Sequence, residues 1–97
     1  MMSIRVTLHF HIKADKTEKL TEFLSLNLPN VRRFPGCLYV DVLFNEDKNE
    51  MLLEEQWQTK GHHQKYFEFI KGNGILAELN DFMLKEPQVG YFEKSTL

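Results

Sequence analysis

Between Ser3 and Ile12 apolar and polar residues alternate: Ile4, Val6, Leu8, Phe10 and Ile12 are apolar, and Ser3, Arg5, Thr7, His9 and His11 are polar. A period of two predicts a strand with one buried face. A helix is expected next. Asp15 and Glu18 form a capping-box pattern at its start, and Leu20, Phe23, Leu24 and Val31 lie near one face. Pro29 lacks the N–H that would bond back to Ser25, so it should kink or split this helix. Phe34-Pro35-Gly36 reads as the turn that ends it.

The alternation returns over 37–45, with Leu38, Val40, Val42 and Phe44 on one face and Cys37, Tyr39, Asp41 and Leu43 on the other. The polar run 45–50 predicts a hairpin turn into a third strand over about 51–57. There Met51, Leu53, Glu55 and Trp57 share a face, and Leu52, Glu54 and Gln56 take the other. Thr59 can cap a second helix whose inward side is His63, Tyr66, Phe67 and Ile70, at spacing i, i+3, i+4, i+7. Gly72-Asn73-Gly74 breaks it. A third helix carries Ile75, Leu76, Leu79, Phe82 and Met83 until Pro87 stops it, and 88–93 form a last strand before a frayed tail.

The order β-α-β-β-α(α)-β is that of an α+β, ferredoxin-like split βαβ fold: a four-stranded antiparallel sheet with helices on one face. Residues 1–97 are expected to form a single domain, with no linker or repeat. Helices on one side leave the other uncovered. That other face should hold Tyr39, Leu43 and Leu52, with either Tyr91 or Phe92. Such a patch marks an interface, and the same face of a second copy is the simplest cover. The expectation is a homodimer closed as an α+β barrel.

Composition narrows the partners. A net charge of -2 argues against a protein that grips nucleic-acid phosphates. The single cysteine, Cys37, excludes an internal disulfide and a cysteine metal cluster. No run approaches a membrane span, and Met1–Phe10 lack the pattern of a signal peptide. Cytoplasmic residence without membrane attachment is the default expectation.

Several short runs carry a resemblance. Arg33-Phe34-Pro35-Gly36-Cys37-Leu38-Tyr39, Glu55-Gln56-Trp57-Gln58-Thr59, His63-Gln64-Lys65-Tyr66-Phe67 followed by Gly74, and Tyr91-Phe92-Glu93 together resemble the antibiotic biosynthesis monooxygenase family over about residues 3–93. The resemblance implies a dimeric α+β barrel. It also implies, as in the better-known relatives, oxygenation of phenolic or quinol-type aromatics by molecular oxygen with neither metal nor flavin, so no cofactor is expected. Two departures stand out. Many members carry a histidine nine or ten residues after the tryptophan, where this chain has Tyr66 and Phe67. The haem-degrading branch needs an asparagine in strand one, and residues 3–12 contain none.

A small aromatic partner directs attention to the inward faces. His63 could take a phenolic proton, since an imidazole titrates near neutrality. Its bland alternative is a helix-start histidine packed over Trp57. Tyr66 could donate to a bound carbonyl or oxyanion; otherwise it is a buried ring with a wet hydroxyl. Trp57 and Phe67 could wall an aromatic pocket or simply fill the core. Glu55, a carboxylate on an inward face, is costly unless paired. Arg5 or His62 could neutralise it as a structural pair, Arg5 could also contact substrate, and Glu55 could be the general base. His9 and His11 point the same way from the first strand and could join His62 or His63 on a metal, but spacing suggests no completing ligand, so no metal is expected. Arg32 and Arg33 suit a helix C-terminus. Gly72-Asn73-Gly74 lacks the strand before and the lysine after that a phosphate loop requires.

The functional expectation is therefore a cofactor-independent monooxygenase acting on a small phenolic, quinol or polyketide-like aromatic. The alternative is a non-catalytic dimer that binds an aromatic ligand or serves as a stress-related module, because one fold carries many functions.

Overall fold

The computed structural model describes residues 3–97. Met1 and Met2, where the signal-peptide reading begins, lie outside them. The elements are β1 (Ile4–His11), α1 (Thr17–Arg32), β2 (Cys37–Phe44), β3 (Glu50–Trp57), α2 (Lys60–Gly72), α3 (Ile75–Asp81) and β4 (Gln88–Glu93). The strands form one antiparallel sheet in the order β2-β3-β1-β4, the split βαβ arrangement.

Alternation places Val6 and Phe10 of β1 beside Met51 and Trp57 of β3 on the helix-covered face, all four fully buried. Leu20, Phe23, Leu24 and Val31 of α1, Ile70 of α2 and Leu79 of α3 close over them. Each such large apolar side chain removed from water contributes about 1.5–3 kcal/mol. Together they form the floor and roof of the layer that holds the site.

Four expectations are corrected. Asp15 does not cap α1: it adopts a positive φ of 63°, and the helix starts after Lys16, which makes no side-chain cap bond. A left-handed Asp15 turns the chain before the helix, which leaves the capping-box spacing to Glu18 out of frame. Pro29 does not split α1, which runs through it to Arg32. Ser25, whose carbonyl loses its partner, is exposed, so water satisfies it at little cost. The face assignment at the start of β2 fails because of a bulge. Cys37 pairs with Trp57 while Tyr39 pairs with Gln56, so Leu38 is an extra residue. Cys37 packs against the core and Leu38 stands half exposed. Finally, α3 ends at Asp81, well before Pro87, because the next residues join the sheet rim. Met83 bridges Ile12, Lys13 donates to the Phe82 carbonyl, and Leu84 donates to the His11 carbonyl.

The turn before β2 depends on Gly36. Its φ is +92°, and a Cβ there would drive into the ring of His62. Replacing Gly36 with Ala should destabilise the protein by about 2 kcal/mol, combining left-handed strain with overpacking. A urea midpoint shift at unchanged m-value would report it, and an unmoved midpoint would contradict it.

The sheet face away from the helices is mixed rather than oily throughout. Leu43 and Phe92 are exposed on it, but Arg5, Thr7, His9, Glu54 and Gln56 interleave. Of the two candidates on β4, Phe92 pairs with Arg5 and faces outward, whereas Tyr91 pairs with Val6 and turns inward. No helix of the described residues is long and apolar enough to cross a membrane.

Candidate active site

A carboxylate and an imidazole meet inside the layer because two periodicities converge. Position 55 of β3 alternates inward with Leu53 and Trp57, between Val6 of β1 and Val40 of β2. Position 63 lies in the first turn of α2, which Thr59 starts by accepting a hydrogen bond from the His62 backbone N–H. The helix therefore sets His63 over the end of β3. Both residues are buried: their side chains are 5% and 2% exposed.

Glu55 has few polar neighbours. The flanking valines offer its carboxylate no donor. Trp57 Nε1–H donates to Oε1 at 2.8 Å, and His63 Nε2 lies 3.8 Å from the same oxygen. Burial pushes the carboxyl up to about 7, against a partial opposing pull from the Trp57 N–H. Burial acts on His63 in the opposite sense and lowers it to about 4. At neutral pH the imidazole is uncharged while the carboxyl is poised between its two forms.

The network continues beyond the pair. His63 Nδ1 is 2.9 Å from the Tyr91 hydroxyl, with the rings edge-on at 5.4 Å. A neutral imidazole has one donor and one acceptor. With Glu55 ionised, Nε2–H faces the carboxylate and Nδ1 accepts from Tyr91; with Glu55 protonated, the roles can reverse. The imidazole thus stands between the buried carboxyl and the half-exposed Tyr91, hydrogen-bonded on the Tyr91 side and 3.8 Å from the carboxylate on the other. Trp57 packs against both His63 and Tyr66, at ring separations of 5.4 Å in each case. Burial, reinforced by the Glu55 charge, raises the Tyr66 phenol, so its hydroxyl remains a hydrogen-bond donor. The Cys37 thiol is pushed up to about 11, chiefly by burial, which leaves it a poor nucleophile.

Glu55, His63, Tyr66 and Phe67 line a cavity of about 60 Å³ between the sheet and the helices, otherwise walled mainly by aliphatic side chains such as Leu8, Leu24 and Leu53. Beside it, a more open groove of about 350 Å³ runs past Arg33, Phe34 and Phe69 and shares Asn27, Tyr66, Ile70 and Ile75 with the cavity. Tyr66 stands between the two.

Four of the residues singled out from the sequence therefore meet at one cavity. Trp57 does not line it; it stands behind Glu55 and His63 and supports both. Arg5 is placed on the opposite face of the sheet. Its guanidinium lies 3.8 Å from Glu54 and 5.8 Å from the centre of the Tyr39 ring. The expected neutralisation of Glu55 by Arg5 or His62 does not occur, since His62 turns to the Thr59 hydroxyl at 2.7 Å. Tyr91 was missed as a site residue. The pairing of β4 with β1 decides which of Tyr91 and Phe92 turns inward, and local alternation cannot fix that register.

Comparison with known proteins agrees with this architecture. The family model described as antibiotic biosynthesis monooxygenase matches residues 3–68. No curated protein matches the chain. Among solved structures, a conserved protein from Methanosarcina mazei Go1 is 18% identical with a TM-score of 0.87, covering 98% of this chain and 95% of its own. Rv0793 from Mycobacterium tuberculosis is 16% identical with a TM-score of 0.83, covering 98% and 97%. A monooxygenase from the gene ActVA-Orf6 of Streptomyces coelicolor, in complex with the ligand nanaomycin D, is 17% identical with a TM-score of 0.78, covering 99% and 90%.

Proposed function

Given that this chain belongs to the antibiotic biosynthesis monooxygenase family, we propose that it is a monooxygenase for a small phenol or quinol, with the substrate held between Tyr66 and the Glu55–His63 pair. One observation carries the reading: a buried carboxyl with its pKa near neutrality opens onto an apolar cavity beside a neutral imidazole. Apolar walls with a few convergent polar groups and perturbed titration are the usual marks of a reactive site. The solved monooxygenase from Streptomyces coelicolor holds the ligand nanaomycin D on a similar fold.

The chemistry needs a base and little else from the protein. Ionised Glu55 accepts the phenolic proton, and the resulting phenolate is electron-rich enough to pass an electron to oxygen. Recombination places a peroxide on a ring carbon ortho or para to the oxygen that still carries hydrogen. Loss of the ring proton with cleavage of the O–O bond then gives a quinone and water. One oxygen atom enters the ring, the other leaves as water, and the substrate itself supplies all four electrons that oxygen accepts. Tyr66 donates to the substrate oxygen, Phe67 packs on the ring, and His63 with Tyr91 carries the proton outward. Its inward position and the ordinary titration of imidazole near neutrality suggested His63 as the base, but an imidazole near 4 is weak for that task, and a carboxyl near 7 matches it.

Size limits the substrate. Ligand pockets usually measure about 300–1,000 Å³, so a cavity of about 60 Å³ favours a single ring over a polyketide-sized one unless the ligand extends into the adjoining groove. The whole chain acts as one domain in this reading. Pairing of two copies through Leu43, Leu52 and Phe92 would cover the apolar part of the exposed sheet face.

The test is oxygen uptake with a panel of simple phenols and hydroquinones, with anaerobic controls. Stoichiometric uptake with formation of a quinone one oxygen atom richer than the substrate is expected for at least one of them. Binding of ring compounds without oxygen consumption would instead support a ligand-binding module.

A further inference from the structure

The opposite face of the sheet carries a second group of chemically capable residues. His9 and His11 alternate outward from β1, so their side chains leave the strand on the same side. The β1–β3 register sets Glu50 directly across from His11 and diagonal to His9. The ligating atoms of all three lie within 4.8 Å of one another. His9 Nε2 is 2.7 Å from Glu50 Oε1, and the two imidazole centres are 4.8 Å apart.

We propose that His9, His11 and Glu50 form a binding site for a divalent transition-metal ion of the zinc class, on the sheet face turned away from the cavity. Two imidazole nitrogens and one carboxylate oxygen suit zinc, nickel or cobalt better than magnesium or calcium, which prefer all-oxygen sites. Bonds of ~2.0–2.1 Å in a tetrahedron place ligand atoms about 3.3 Å apart. The observed separations bracket that value. Rotation of half-exposed side chains is enough to close on an ion, with water in the fourth position.

The carboxylate is also supported from behind. Asn45 Nδ2–H donates to Glu50 Oε2 at 3.5 Å, while Asn45 Oδ1 accepts from the Glu50 backbone N–H at 2.8 Å. An outer partner that orients a ligating carboxylate is a regular part of metal sites. The hairpin turn that fixes Asn45 therefore also fixes the carboxylate. The metal would take the place of the contact between His9 Nε2 and Glu50 Oε1. Sequence spacing gave two of the three ligands; the third comes from the antiparallel partner strand.

Titration calorimetry with zinc chloride on the chelator-treated full chain tests this. The wild type should take up one zinc per chain, and both His9→Ala/His11→Ala and Glu50→Gln should weaken binding ~10-fold or more. The double variant keeps His62, His63 and Cys37, so undiminished zinc binding in it would place the site elsewhere and overturn the proposal. Failure of the wild type to bind zinc at millimolar concentration would do the same. Substitution of half-exposed residues should leave the circular dichroism unchanged, and Glu50→Gln, nearly identical in shape, guards against a folding artefact.

Discussion

Replacing Glu55 with Gln should lower kcat by ~10²–10⁴-fold on any phenol the wild type oxidises, the range that a positioned base contributes. Gln has nearly the same shape and can still accept from Trp57 Nε1–H, so KM should change little; the loss belongs to proton removal. The wild-type rate should rise with pH through about 7, as the carboxyl ionises, and level off above it. In the variant that limb should vanish from whatever rate remains. Trp57→Phe supplies a companion test. It removes the one donor that pulls the carboxyl down, so the limb should move to higher pH while the plateau persists. Turnover in folded Glu55→Gln that matches wild type, limb included, would exclude Glu55 as the base.

This assignment illustrates what the sequence could and could not supply. The inward placement of Glu55, Trp57, His63 and Tyr66 was legible from periods of two and 3.6 alone, because side-chain direction follows from local backbone geometry. Which of them should carry the proton was not. That choice depends on two valines flanking Glu55 and on the absence of a nearby cation among the described residues, both set by strand pairing. Arg5 shows the same limit from the other side. Alternation put it on the face opposite Val6, and thus opposite Glu55, yet its charge made it an attractive partner for the carboxylate. The pleat prevailed, and Arg5 pairs with Glu54 across the outer face. Glu50 and Tyr91 could be found only through the β1–β3 and β1–β4 registers. Misreadings within single elements have a similar origin. The bulge at Leu38 and the early end of α3 both answer to neighbours distant in sequence, Trp57 in one case and Ile12 in the other.

The second large effect concerns stability, and it comes from the opposite shifts of the two buried groups. The folded carboxyl lies near 7 against an ordinary value of 4.5, so its contribution is full below pH 4.5 and fades as pH rises through 7. The folded imidazole lies near 4 against 6.5, so its contribution is full above pH 6.5 and fades as pH falls through 4. Between pH 4.5 and 6.5 the unfolded chain holds one proton on the pair, on the imidazole. The folded chain also holds one, on the carboxyl. Equal proton counts mean that the pair gives the wild type almost no pH slope across this window. Removing either partner should expose the other. Relative to wild type, Glu55→Gln should lose stability as pH falls from 6.5 to 4.5, and His63→Gln should lose it as pH rises over the same span. Each change should approach ~3 kcal/mol, at about 1.4 kcal/mol per pH unit for one proton. That is a large share of a total stability of about 5–15 kcal/mol. Urea unfolding of the three proteins at the two pH values measures it, and taking differences cancels the titration of the surface carboxylates. Slopes of the same sign in the two variants, or curves parallel to wild type, would mean that burial does not hold these two groups in opposite protonation states, and the proton relay would lose its basis.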